Sequence, residues 1–117
     1  MSLNRGHKDL VVWQKSMDVV VLVYKMTETF PKEEIYGLTS QMRRAAVSIP
    51  CNIAEGKRRM TENEFKHFLR IAFGSAAELE TQMEISLKLG FVNPDNISEV
   101  VRLLDEVMRM LNKLTSD

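Results

Sequence analysis

Cysteine, proline and glycine are scarce in this 117-residue chain, which contains one, three and five of them respectively. Because Cys51 is the single cysteine, no disulfide can form within the chain, and the reducing cytoplasm is the expected location. We interpret Cys51 as a small buried thiol rather than a reactive one. No apolar run approaches the roughly 20 residues that a membrane-spanning helix requires. The first residues also lack the hydrophobic stretch of a signal peptide, so we expect no membrane association.

Net charge is also missing, since sixteen Lys and Arg residues balance sixteen Asp and Glu residues. The overall charge therefore favours no class of charged partner. Apolar residues make up 44% of the chain, which argues against a disordered protein and is enough for one hydrophobic core. We expect a single domain over residues 1–117.

Most of the few glycines and prolines mark three breaks, and the segments between them have the length and the apolar spacing of helices. The predicted helices cover residues of about 9–29, 38–55, 62–89 and 94–115. The first segment is rich in valine, which favours strands, but about twenty residues without a turn signal is a helix length. Four helices with short connections predict an all-α fold, an antiparallel up-down-up-down four-helix bundle.

Pro50 lies inside the second predicted helix and cannot donate a hydrogen bond to the carbonyl of Ala46. We therefore expect this helix to be kinked or locally widened at Pro50. Asn52 lies on or beside the inward-facing stripe, where its amide needs hydrogen-bond partners. We interpret Asn52, together with Ser48, as a structural network that satisfies the kinked backbone.

The first predicted helix has two apolar series at helical spacing, although only one broad stripe faces the interior of a four-helix bundle. The second series contains Val12, Val19, Val23 and Met26. Left in water these side chains would form a patch that soluble monomers usually avoid, so we assign them to an oligomer interface. The alternative is that a wider face of this helix packs inside its own bundle. Composition does not distinguish a ring from a dimer.

No set of residues matches a catalytic or metal-binding pattern. Glu64 and His67 have the Glu-x-x-His spacing of di-iron bundles, but the second copy that such a site needs is absent. Ser48, Ser75 and Cys51 are possible nucleophiles, with His67 as the sole plausible base. We therefore predict no catalytic residues, no metal site and no cofactor, and we expect the protein not to be an enzyme.

Cations outnumber acids in residues 38–60, where Glu55 is the single carboxylate. The cations of this region are Arg43, Arg44, Lys57, Arg58 and Arg59. The last three follow Gly56 in a connection where side chains are free to meet phosphate, and in an antiparallel bundle Arg5, Lys8, Lys66, Arg109 and Lys113 lie at the same end. Binding of single-stranded nucleic acid favours aromatic residues interleaved among the cations, and the sequence has none between these. The alternative to a nucleic-acid site is that Lys57, Arg58 and Arg59 form a solvated loop without a ligand.

Arg43 and Arg44 precede this loop by more than three helical turns. We expect one of them to pair with a glutamate of the third helix, with Glu78 as the first choice. An arginine that instead points into solvent without an acidic neighbour would favour a ligand-facing role.

Several motifs resemble those of one protein family, in the same order and at compatible spacing. They are DLVVWQK at 9–15, GLTSQMRRAA at 37–46, SIP at 48–50, NIAEG at 52–56, FLRIAFGS at 68–75 and AELETQ at 77–82. The chain thus resembles, over roughly residues 9–92, the four-helix-bundle proteins encoded in the intervening sequences of bacterial 23S ribosomal RNA genes.

This resemblance implies a cytoplasmic bundle that assembles as a homopentamer. Relatives that accompany diversity-generating retroelements are partners of a reverse transcriptase and bind nucleic acid through basic surfaces. The expected function is therefore that of a non-catalytic oligomer that binds RNA or DNA weakly, as a ribonucleoprotein accessory component. The alternative is a protein–protein scaffold that does not bind nucleic acid.

Overall fold

In a computed structural model the chain folds into four α-helices, and the structure describes residues 6–116. The helices are α1 (Val11–Thr27), α2 (Leu38–Lys57), α3 (Glu62–Lys88) and α4 (Pro94–Thr115). Short 3-10 turns at Gly6–Asp9 and Lys32–Glu34 precede α1 and α2, and residues 6–116 contain no strand. The predicted cation Arg5 lies outside the described residues.

The helices form a closed ring of contacts, in which α1 and α3 each pack against both α2 and α4. The α1–α2 and α3–α4 connections meet at one end of the bundle, where the rings of Phe30 and Phe91 lie 5.3 Å apart. At the other end Arg70, near the start of α3, donates to the carbonyl oxygen of Thr115 at the end of α4, at 3.3 Å. These contacts confirm the predicted antiparallel four-helix bundle. We call its two ends the Phe30 end and the Lys57 end.

The starts of α3 and α4 follow local capping chemistry. The hydroxyl of Thr61 accepts a hydrogen bond from the backbone N–H of Glu64 at 3.1 Å. The side-chain oxygen of Asn93 does the same for Asn96 at 2.9 Å. Each side chain satisfies a backbone donor that the first helical turn leaves free. α3 ends before Gly90, whose φ of 77° lies in the left-handed region that favours glycine.

The valines assigned to an oligomer interface lie in the chain's own core. Val12, Val19 and Val23 are at most 1% exposed, and Met26 packs against the same core. α2, which packs against α1, contributes the small buried side chains of Ala45 and Ala46, and small side chains leave room for a wide apolar face of α1. The sequence-based interface assignment is corrected accordingly, and the alternative of a wider packed face agrees with the structure.

α2 continues as one helix from Leu38 to Lys57 through the buried Pro50. The amide of Asn52 donates to the carbonyl oxygen of Ser48 at 2.8 Å and to its hydroxyl at 2.9 Å. The hydroxyls of Ser48 and Ser75 are 2.8 Å apart, so this network joins α2 to α3. The predicted hydrogen bonding of Asn52 is confirmed, but its side chain is half-buried and its partner is not the carbonyl of Ala46.

Cys51 is exposed, which contradicts its interpretation as a buried thiol. α2 turns Ile49, Pro50 and Ile53 inward, and a residue two positions after Ile49 lies on the opposite side of the helix. Within residues 6–116 no helix is both long enough and apolar enough to cross a membrane.

Candidate nucleic-acid interface

The basic cluster, defined as Lys57, Arg58 and Arg59, lies at the Lys57 end of the bundle. α2 extends two residues beyond its predicted end at Glu55, so that Lys57 is its last residue and Arg58 its C-cap. All three side chains are exposed. Cations at the C-terminus of a helix are favoured by the partial negative charge of the last carbonyls, so this position suits the cluster.

α2 and α3 approach each other closely at Gly56, which places the basic cluster next to the first turns of α3. A Cβ atom added to Gly56 would lie 2.9 Å from the Cβ of Phe68 and 3.1 Å from the carbonyl oxygen of Phe65. Both distances are too short for an unstrained contact. Glycine at position 56 therefore lets the end of α2 pack against the first turns of α3.

Two aromatic rings of α3 contact the cations of the basic cluster. The Lys57 ammonium lies 5.6 Å from the ring centroid of Phe65, and the Arg59 guanidinium lies 4.7 Å from that of Phe68. These distances are within the range of cation–π attraction. Arg59 also pairs with Glu55 at 2.8 Å, whereas Arg58 makes no hydrogen bond or ion pair through its side chain with residues 6–116. Lys57 and Arg59 are thus held in place by neighbouring side chains, whereas the Arg58 side chain is not.

The aromatic neighbours of the basic cluster do not follow from the pattern of the sequence around it. Phe65 and Phe68 follow the basic cluster in the sequence and do not interleave it, and the apolar spacing of α3 predicts that Phe65 faces the interior. Phe65 and Phe68 are three residues apart and so lie on one side of α3, and a glycine at the end of α2 allows that side to pack closely. Together these two features indicate that both rings contact the cations.

Arg43 and Arg44 do not join the basic cluster. Lys57 follows Arg43 by fourteen residues on the same helix, which corresponds to about 21 Å. The Nε of Arg43 donates to the hydroxyl of Thr27 at 2.9 Å, and its guanidinium lies 4.6 Å from the ring centroid of Tyr24. Arg44 is exposed. The five predicted binding cations are therefore split between the two ends of the bundle.

The predicted pairing of Arg43 or Arg44 with Glu78 is wrong. Arg43 is drawn toward α1, where a hydroxyl, a backbone carbonyl and an aromatic face converge on it. Glu78 instead accepts a hydrogen bond from the side-chain amide of Gln82, one turn further along α3, at 3.3 Å.

The possible nucleophiles and the possible base lie apart. The hydroxyls of Ser48 and Ser75 bind each other, and the ring of His67 packs edge-on against that of Phe68, with centroids 5.3 Å apart. Eight residues of α3 separate His67 from Ser75, which corresponds to about 12 Å. No three His, Cys, Asp or Glu side chains of the described residues are grouped as metal ligands would be.

One carboxylate with a perturbed pKa lies in an ion pair between helices. Lys15 of α1 donates to Glu106 of α4 at 2.7 Å, and Arg102 donates to the second oxygen of Glu106 at 2.7 Å. The hydrogen bond from Lys15 lowers the pKa of Glu106 below its ordinary value; partial desolvation opposes this, and the positive charges of Lys15 and Arg102 add to the lowering. This arrangement ties the first helix to the last.

Comparison with known families gives a match over most of the chain. The model of the family described as 23S rRNA-intervening sequence protein matches residues 8–113. The chain belongs to this family. No curated protein matches the sequence.

A solved structure of related fold comes from Bacteroides thetaiotaomicron VPI-5482. It is the crystal structure of a protein with unknown function from the S23 ribosomal protein family. The two chains are 22% identical and superpose with a TM-score of 0.82, and the match covers 92% of this chain and 100% of the other. At this identity the similarity shows a shared bundle fold and nothing finer.

Proposed function

We propose that this protein is a non-catalytic, oligomeric bundle of the bacterial cytoplasm that binds RNA or DNA weakly, as an accessory component of a ribonucleoprotein. The observation that carries the proposal is the exposed basic cluster at the Lys57 end. Three consecutive cations with no intervening acid are suited to phosphate contacts, which supply most of the affinity in sequence-independent binding.

The surroundings of the basic cluster support this role. The aromatic rings of Phe65 and Phe68 restrict the side chains of Lys57 and Arg59 without using their hydrogen-bond donors, which reduces the entropy lost on binding a phosphate. Arg58 has its full donor set available. The carboxylate of Glu55 competes for Arg59 and limits the local positive charge, so we expect weak binding.

The experiment is a titration of labelled RNA and DNA with the parent protein and with Lys57→Ala/Arg58→Ala/Arg59→Ala. The triple substitution should weaken binding to both nucleic acids. It should also lower the slope of log affinity against log salt by about 0.7 to 0.9 for each phosphate contact that the substitution removes. A control substitution of two exposed lysines, Lys25→Ala/Lys88→Ala, removes positive charge outside the basic cluster and should bind as the parent does. Equal affinities for parent and basic-cluster variant would contradict the proposal.

We also propose an oligomer, with the homopentamer as its form. An apolar face of α1 supports it, because Met17 and Val21 are 40% and 51% exposed. Their spacing of four residues places them on one side of the helix. This face replaces the buried valines as the proposed contact between subunits.

A protein–protein scaffold is the second candidate function. The same exposed face favours it, since apolar surface of this kind binds protein rather than phosphate. Under this alternative a reverse transcriptase, the partner implied by the resemblance to retroelement accessory proteins, is the protein to test. Failure of the parent protein to bind nucleic acid at low salt would leave the scaffold function as the better explanation.

A further inference from the structure

A groove at the Phe30 end combines aromatic rings with arginines. It has a volume of about 550 Å³ and lies between the C-terminal part of α1, the turn that precedes α2, and the first turns of α2. The side chains that give it its chemical character are Tyr24, Tyr36, Arg43 and Arg44. Hydroxyl and apolar side chains complete the lining, and no carboxylate is among the described residues that line it.

Tyr36 presents its ring to solvent from a backbone that is held in place. The side chain is 94% exposed. The N–H of Ile35 donates to the carbonyl of Lys32 at 3.1 Å, and that of Gly37 donates to the carbonyl of Glu34 at 3.0 Å, so the turn around Tyr36 is hydrogen-bonded on both sides. An exposed aromatic ring on an ordered turn is ready to stack on a planar partner, and stacking then costs little backbone entropy.

The arginines add positive charge on the α2 side of the groove. Arg43 is fixed by its hydrogen bonds to Thr27 and to the carbonyl of Tyr24, and by its position over the Tyr24 ring. Arg44 is exposed and makes no ion pair with residues 6–116. A guanidinium binds phosphate through paired N–H donors, and it also stacks on planar rings.

We infer that this groove binds single-stranded nucleic acid, with an unpaired base stacked on Tyr36 and the adjoining phosphate held by Arg44. Exposed rings beside cations, with no acid among the described residues that line the groove, are complementary to a chain of planar bases and anionic phosphates. A duplex does not fit this chemistry, since its bases are already stacked on each other. The inference rests on the proposed function, which it deepens by adding a second contact at the opposite end of the bundle from the basic cluster.

The test measures binding of a labelled 12-nucleotide oligouridylate and of a duplex RNA of the same length, at low salt, by fluorescence anisotropy. Tyr36→Ala should weaken binding of the single strand about fivefold or more, which is the effect of losing one base stack. Tyr36→Phe keeps the ring and should bind as the parent does. Arg44→Ala should lower the salt slope for the single strand by about 0.7. Leu89→Ala removes another exposed apolar side chain at the same end and should change nothing.

Each outcome separates this inference from the proposed function. If the basic-cluster variant loses RNA binding while Tyr36→Ala keeps it, the proposed function stands and the groove assignment is overturned. If Tyr36→Ala loses the single strand while the basic-cluster variant keeps it, the groove is supported and the basic cluster is overturned. Equal loss of duplex and single strand in Tyr36→Ala contradicts stacking. If Tyr36→Ala has a lower oligomer mass and unchanged RNA affinity, the groove is a protein contact and the inference is overturned. A parent protein that binds neither RNA also overturns the inference.

Discussion

The ammonium of Lys15 and the carboxylate of Glu106 lie 2.7 Å apart and join α1 to α4, which are the first and last helices of the chain. The two side chains are 33% and 30% exposed, so the pair is partly shielded from water. The ion pair favours the charged form of Glu106 in the folded protein, and this is why its pKa falls below its ordinary value.

This pair predicts a pH-dependent stability difference between the parent and Glu106→Gln. A carboxyl whose pKa is lowered by folding stabilises the fold above its unfolded pKa, and the contribution is lost as the pH falls through the folded pKa. Glu106→Gln should therefore unfold at a lower urea concentration than the parent at pH 7, and the two midpoints should converge as the pH falls and Glu106 becomes protonated. Glu99→Gln changes an exposed glutamate of the same helix and should follow the parent. A difference that does not shrink as the pH falls would show that the ion pair is not its cause.

The close approach at Gly56 predicts opposite effects of alanine at two helical glycines. Gly56→Ala should destabilise the protein by about 1–3 kcal/mol, because the new methyl group overlaps Phe68 and the carbonyl of Phe65. Gly74→Ala should stabilise it by about 0.5–1 kcal/mol, since a Cβ there meets nothing within 4 Å and alanine favours the helix. Urea denaturation of both variants measures the two changes in the free energy of unfolding. Equal effects would mean that α2 and α3 are not closely packed at Gly56.

The two sides of α1 predict a contrast between Val19 and Val21. Val19 is fully buried, so Val19→Ala should lower the free energy of unfolding by about 1.5–3 kcal/mol, because less apolar surface is buried and a small cavity forms. Val21 is 51% exposed, and Val21→Ala should stay within about 0.5 kcal/mol of the parent when both are measured at a concentration where the chain is monomeric. A larger cost at Val21 than at Val19 would reverse the assignment of the two sides.

The exposed face of α1 predicts an oligomer that a charge at Val21 disrupts. Light scattering of the parent at micromolar concentration should give a mass near five times 13.5 kDa. Val21→Glu buries a carboxylate at the proposed contact between subunits, so its mass should fall. The matched control is Leu114→Glu on α4, where the side chain is 38% exposed, and its mass should equal that of the parent. A parent mass near 13.5 kDa would contradict oligomer formation altogether, and a dimer would contradict the pentamer.

The candidate site was only partly predictable from the sequence. The basic cluster was found because its cations are consecutive, and consecutive residues stay together in any fold. The rings beneath it and the partners of Arg43 were not found, because Phe68 and Tyr24 reach these cations across helix contacts. A pattern along one helix does not contain that information.

The sequence by itself determined the number of helices, their approximate bounds and the caps of α3 and α4, because capping and helical periodicity depend on residues within about one turn of each other. Thr61 and Asn93 start α3 and α4 through such local hydrogen bonds. Only the tertiary structure decided which side of α1 is buried. Two apolar series of similar strength compete for the interior, and small side chains of the neighbouring helix α2, such as Ala45 and Ala46, decide how wide a face of α1 the core accepts. The shape of that cavity is a property of all four helices together, so no single segment of the sequence specifies it.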